Sequence, residues 1–276
     1  MNQLTPGSYQ SLPTVIKNLL IINVLVFLAQ NTVGSGGVVS MEDLFALHHV
    51  KSPLFQPWQI ITHLFLHGGF WHLFSNMFAL WMFGAELEYI WGPKRFLTFY
   101  FLCGIGAALI QLLWLWFQWH GLVNFFYAVK LHPGSDAFIS FYNHFGLNQD
   151  PNLVSILQNY LADTGNAGSK AAVMQEISNF TYRVISEPTI GASGAVFGVL
   201  AAFIFLFPNR ELYFSFFIPV KAKWIGVFYF GYEIFSAFRN SPTDNIAHWA
   251  HVGGGLVGFL LVLTWNKNGR RNFYKQ

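Results

Sequence analysis

Residues Ile190–Phe207 read IGASGAVFGVLAAFIFLF, with no charged side chain and with glycines at 191, 194 and 198. A run of this kind approaches the roughly 20 mostly apolar residues that a membrane-spanning helix requires. Gly194 and Gly198 are four apart and share one helical face. A second run, Ile246–Trp265, reads IAHWAHVGGGLVGFLLVLTW and repeats the device with Gly254 and Gly258. Each segment therefore presents a strip without side chains, and two such strips let helix backbones approach closely within a bilayer.

Working outward, the same ruler gives further apolar segments at about Thr14–Val33, at Phe70–Ala85 with a lead-in from Trp58, at Phe96–Trp119 and at Tyr213–Phe238. The whole chain agrees with this reading. Of 276 residues only 10% are charged, against about 25% in an ordinary soluble domain. Hydrophobic residues make up 54%, including 31 Phe, 10 Trp and 11 Tyr. Such a chain has too little charge to cover a soluble surface. Disorder, a coiled coil and a disulfide-stapled module are excluded by the same numbers. Cys103 is the single cysteine, so it forms no internal disulfide and no cysteine metal site. A net charge of +3, scattered along the chain, points to no nucleic-acid partner.

The expected fold is an all-α membrane protein with six transmembrane helices, its partner surface being the lipid bilayer. An even number of spans puts both termini on one side. That side carries Lys94, Arg95, Arg210, Lys221, Lys223, Lys267, Arg270, Arg271 and Lys275. The other has Lys51, Lys130, Lys170, Arg183 and Arg239, scattered over longer loops. The positive-inside rule places both termini in the cytoplasm. Because no Lys or Arg precedes Lys17, the first helix lacks a basic signal-peptide n-region and is expected to remain uncleaved. The resulting organisation is a short cytoplasmic N-terminus at 1–13, a membrane domain at 14–266 and a basic cytoplasmic tail at 267–276. An outer-side insertion at 120–188 lies between the third and fourth helices. Within it, Asp150-Pro151 reads as a helix start. Leu153, Ile156, Leu157, Tyr160 and Leu161 fall on one helical face, as do Val173, Ile177, Phe180 and Val184.

Polar side chains inside spans are costly and mark candidate sites. Ser193 adjoins one glycine strip, and His251 lies three residues before Gly254 on the other. Close packing of the strips would bring the hydroxyl to the imidazole, the arrangement an activated nucleophile requires. His72 and Asn76 are i and i+4, at a similar depth, and suit an oxyanion hole. The histidines also leave a different reading open. His63 and His67 are i, i+4 and His248 and His251 are i, i+3, spacings that suit a metal in a membrane metal-binding protein or transporter. Against it, no His-Glu-x-x-His occurs and every Asp lies outside the spans. Glu233, near the outer end of the fifth span, has two readings, an acid that orients a histidine and a helix-end acid that faces water, and the second is the expectation.

Taken together these motifs resemble the rhomboid family of intramembrane serine proteases. Gly191-Ala192-Ser193-Gly194 matches its Gly-x-Ser-Gly signature, and His72-Leu73-Phe74-Ser75-Asn76 its His-x-x-x-Asn signature. Ala250-His251 with Gly254 and Gly258 matches the last-helix signature, and Glu88 with Gly92 the Glu-x-x-x-Gly at the end of the second helix. The resemblance covers about Trp58–Trp265, excluding the insertion. It implies a Ser193–His251 dyad, with His72, Asn76 and the Ser193 backbone N–H as oxyanion hole. It further implies cleavage of single-pass membrane proteins near the outer end of their helix, with no metal or organic cofactor. A non-catalytic rhomboid-like protein that holds transmembrane helices is the remaining alternative. One departure is Trp58-Gln59, where the family typically carries Trp-Arg. With no organelle-targeting segment apparent, a bacterial inner membrane is the expected location.

Overall fold

The structure is a computed structural model describing residues 12–33, 40–214, 218–239 and 246–269. The expected N-terminal segment 1–13 and basic tail 267–276 lie largely outside the described residues. By its internal contacts the chain divides into two compact units.

The first unit begins with α1 (Thr14–Val33) and the short α2 (Met41–Phe45). One turn of helix, α3 (Gln59–Thr62), then leads through His63–Phe65 to α4 (Phe70–Ala79). A wide turn at Leu80–Gly84 carries α4 on into α5 (Ala85–Trp91), so the second apolar segment runs past Ala85 to Trp91. Gly92 ends it at φ +79°, a left-handed position that suits glycine, and Pro93 opens α6 (Pro93–Leu131). Glu88, one turn before Gly92, is buried and accepts from the backbone N–H groups of Val15 and Ile16 at 2.9 and 2.8 Å. The Glu-x-x-x-Gly pair thus has two local tasks: the glycine stops α5 and the glutamate satisfies orphan donors at the start of α1.

After the second unit come α10 (Ser193–Leu206), the strands β1 (Glu211–Phe214) and β2 (Ile218–Lys221), α11 (Ala222–Arg239) and α12 (His248–Gly269). The hairpin corrects the all-helical expectation and the expected start of the fifth helix at Tyr213. β1 and β2 pair antiparallel, Leu212 opposite Val220, and Pro219, which has no N–H, sits where a continuing helix would need one. The fourth helix also starts later than expected, at Ser193 rather than Ile190, because Gly191 takes φ +122° and its N–H donates to the His63 carbonyl at 2.9 Å. By length and apolarity, Thr14–Thr32, Pro93–Leu131 and His248–Trp265 suffice to cross a membrane, and Ser193–Leu206 is a shorter apolar helix. A single core of side chains joins these elements, including Ile16, Leu64, Leu80, Leu87, Phe96, Phe99, Tyr100, Val199 and Phe203.

Gln59, the residue that departs from the family's arginine, is fully buried and anchors the loop it belongs to. Its side-chain carbonyl accepts from Gln56 N–H at 3.1 Å, while its amide donates to Leu44 O at 3.3 Å. Trp58 Nε1 donates to the same carbonyl at 2.9 Å. The loop is tied by neutral bonds to backbone N–H and carbonyl groups, with no guanidinium needed.

The second unit comprises residues 48–55 and 112–187. It takes in the distal part of α6, whose 39 residues extend roughly 58 Å and outrun a hydrocarbon core of about 30 Å. Residues 120–131 continue α6 as helix within this unit. Then follow α7 (Ser135–His144), α8 (Pro151–Ala162) and α9 (Ala167–Ile185). Asp150 caps α8 by accepting from Asn152 N–H at 2.9 Å, with Pro151 at the first helical position. The unit has its own core, built of Leu122, Val129, Phe138, Phe141, Tyr142, Leu147, Tyr160, Val173 and Ile177. Leu161, expected on the inner face of α8, is exposed. The 48–55 segment is fastened to the end of α9, where His48 Nδ1 lies 2.8 Å from Ser186 O and Ser52 Oγ 2.8 Å from Ser186 Oγ.

Candidate active site

The site grows from the contact of α10 with α12. A Cβ on Gly254 would run into the backbone oxygen of Gly194, and one on Gly258 would stand 2.6 Å from Gly198 Cα. Cys103 of α6 also crowds Gly198, and Ala107 crowds Gly194. The helices touch backbone to backbone over two turns. Any side chain at these positions would hold them apart.

That approach fixes the distance between the groups carried just above. His251 Nε2 lies 2.8 Å from Ser193 Oγ. The imidazole is also clamped from the side: it lies flat on Phe197, with ring centroids 4.3 Å apart and planes within 9°. Phe197 is one turn beyond Ser193 on the same face of α10, so a single helix supplies both the hydroxyl and the surface on which its partner rests. The sequence reading gave Phe197 no role; its i, i+4 relation to Ser193 was the available signal.

Gly191 forms the turn that leads into α10. A Cβ there would stand 2.9 Å from His72 Nε2 and 3.6 Å from Ser193 Oγ, which puts the edge of the His72 ring beside the turn leading to Ser193. Both the positive φ and the lack of space require glycine. Asn76 is buried, and its amide donates to the His72 carbonyl at 2.9 Å. An amide nitrogen has two N–H groups, so one remains for a further acceptor. Ser193 is the first residue of α10, and its backbone N–H is among those that a helix start leaves without an intrahelical acceptor.

The alternative metal quartet does not assemble. His63 Nδ1 is bonded to Gln59 O at 2.8 Å, and His67 packs edge-on against His72. His248 and His251 instead meet at Glu233, with His248 Nδ1 2.6 Å and His251 Nδ1 2.9 Å from Glu233 Oε2. Glu233 does not face water as expected: it is 3% exposed. Spacing along α11 alone does not reveal this, because α12 supplies the groups that cover the carboxylate. Among the described residues, Glu233, His248 and His251 are the group of acids, cysteines and histidines close enough to share an ion, their ligand atoms lying within 4.8 Å.

Residues 54–129 and 122–268 match the Rhomboid domain family. The chain belongs to the rhomboid family. Among similar rhomboids, RHOMBOID-like protein 12, mitochondrial, of Arabidopsis thaliana is 26% identical over 78% of this chain and 47% of its own length. Rhomboid protein 1, mitochondrial, of Saccharomyces cerevisiae is 27% identical over 73% of this chain and 40% of its own length. Rhomboid protease GluP of Bacillus subtilis is 30% identical over 35% of this chain and 19% of its own length. The chain thus spans about half or less of these relatives. The first two overturn the expectation of a bacterial inner membrane, because matches across most of the chain carry mitochondrial names. That expectation rested on targeting signals, which are read by import machinery and leave no trace in the packing of a membrane core. The multi-pass membrane character of the family stands.

Proposed function

We propose that this rhomboid is an intramembrane serine endopeptidase of a mitochondrial membrane. It would cleave single-pass membrane proteins within or near the end of their helix that lies opposite the chain's more basic side. Six spans, with both ends of the chain on that basic side, complete the arrangement. The observation that carries the reading is the 2.8 Å contact of Ser193 Oγ with His251 Nε2 at a glycine-welded helix pair. In the reaction His251 takes the Ser193 proton as Oγ attacks the scissile carbonyl. The oxyanion then meets the Ser193 backbone N–H, the Asn76 amide and the His72 ring. The same His251 returns the proton to the leaving amine, and water repeats the sequence on the acyl-enzyme. A fluorophosphonate probe followed by peptide mapping tests this, since the adduct should reside on Ser193. An adduct elsewhere, or none, defeats it.

The oxyanion assignment has its own test. Removing one such donor typically costs about 10²–10³ in turnover. Asn76→Ala should lower kcat towards that range, and by less than loss of the nucleophile, while KM and melting temperature stay near those of the parent. Unchanged kcat in the folded variant removes Asn76 from the site. A chelator such as EDTA should leave cleavage unchanged. A loss that zinc restores would reassign Glu233, His248 and His251 to a metal.

A further inference from the structure

We infer that Glu233, reaching in from α11, is a positioning residue for His251, so that hydrolysis runs on a Ser193–His251–Glu233 relay whose carboxylate is held by His248. This rests on the serine-endopeptidase reading above and departs from the two-residue dyad that the family resemblance implies.

The bonding pattern is directional. A carboxylate oxygen accepts and does not donate, so the protons in its two short contacts reside on the imidazoles. Glu233 Oε2 receives His251 Nδ1–H at 2.9 Å and His248 Nδ1–H at 2.6 Å. With its proton on Nδ1, neutral His251 presents the Nε2 lone pair to Ser193 Oγ at 2.8 Å, and the hydroxyl must be the donor. Without the carboxylate, the ring is free to carry its proton on Nε2 instead. It would then offer Ser193 a donor and could not take its proton. Glu233 selects the tautomer that can act as base.

The charge balance agrees. As the Ser193 Oγ–carbon bond forms, the hydroxyl proton passes to His251 Nε2, leaving an imidazolium with a proton on each nitrogen. Glu233 stays ionised and faces the new positive charge. The proton then moves from Nε2 to the leaving nitrogen as the peptide C–N bond breaks. In the second half, water gives a proton to Nε2 while its oxygen attacks the acyl carbon. The Ser193 ester bond breaks, and Oγ recovers that proton. No oxidant or further reactant is needed.

The setting also favours a working carboxylate over a simple bolt between helices. A buried, unpaired carboxylate in a membrane segment is costly. Here it takes two donors from successive turns of one helix, which fixes its position against His251 while the Phe197 face fixes the ring plane. Tying α11 to α12 alone would not require that the bonded nitrogen be the one opposite the nucleophile.

Purified full-length protein in detergent tests the inference through Glu233→Gln and Glu233→Asp. The readouts are fluorophosphonate labelling, kcat and KM on a fluorogenic transmembrane peptide, and ¹⁵N spectra of labelled histidines. Glu233→Gln keeps the shape but loses the obligate acceptor. It should lower kcat and the labelling rate by about 10²–10⁴-fold with KM changed less than about threefold. The spectra should show His251 leaving the Nδ1–H tautomer. Glu233→Asp retains the charge and should recover part of the loss. If the parent labels at Ser193 and Glu233→Gln matches its rate and kcat, the inference falls and the serine reading stands. It falls equally if Glu233→Gln lowers only the melting temperature while kcat per titrated active site is unchanged. Failure of the parent itself to label Ser193 removes the serine reading and this inference together.

Discussion

Ser193→Ala is expected to lower turnover by about 10⁴-fold or more, below detection in a membrane-peptide assay, and His251→Ala to do the same. In the proposed mechanism the two side chains act as one unit across a 2.8 Å contact: the hydroxyl is a weak nucleophile until its proton has somewhere to go. Loss of either member therefore removes nearly the whole effect, and the double variant should be no worse than either single one. Additive losses would mean that the residues work separately. Folding should survive in each case. Ser193 is partly exposed and begins its helix, so alanine removes one hydroxyl at the surface, and His251 keeps its Glu233 contact and its Phe197 face. In His251→Ala, Glu233 keeps its His248 donor. Melting temperatures within a few degrees of the parent, together with lost cleavage, are the expected pair of results. Substantial cleavage by purified Ser193→Ala protein would end the serine mechanism.

The second large effect is expected at the helix contact itself. Gly258→Leu forces a branched side chain onto the backbone of Gly198, and Gly254→Leu onto that of Gly194. Overpacking in a yielding core costs about 1–3 kcal/mol, and here the obstacle is backbone, which cannot change rotamer. A loss of roughly 3 kcal/mol or more is expected, with α12 displaced from α10. Activity should fall further than stability alone explains, because a displacement of about 1 Å already spoils a positioned pair. Gly→Ala at the same sites should be milder but still damaging. Normal melting and normal fluorophosphonate labelling in both leucine variants would show that the glycine contact does not set the Ser193–His251 distance.

Much of this was legible in the chain. A bilayer offers backbone groups no water, so spans must be long apolar helices, and such runs stand out in any sequence. Glycines four apart announced where two helices would touch, and polar residues in those runs marked the candidate site. Ser193, His251, His72 and Asn76 were named on those grounds; Ser193 Oγ meets His251 Nε2, the His72 ring lies beside Gly191 and Asn76 bonds to the His72 carbonyl, while their joint chemistry is the proposal made above. Other features were hidden. The apolar run from Tyr213 was read as helix, yet Pro219 and its neighbours form a hairpin. Periodicity cannot separate a short apolar strand from the lead-in of a helix. α7 went unread, although Phe138, Phe141 and Tyr142 carry the helical spacing, because ten residues give that spacing little room to repeat.

What the sequence by itself determined is a membrane-embedded rhomboid with a serine and a histidine on glycine-lined helices. These follow from local composition and i, i+4 spacing, which survive in one dimension. Only the tertiary structure decided that Glu233 stands behind His251 and not in water. An acid's burial and its bonding partner depend on which helix packs over it. Here α12 supplies both imidazoles to a carboxylate on α11, and no spacing within either helix records that meeting.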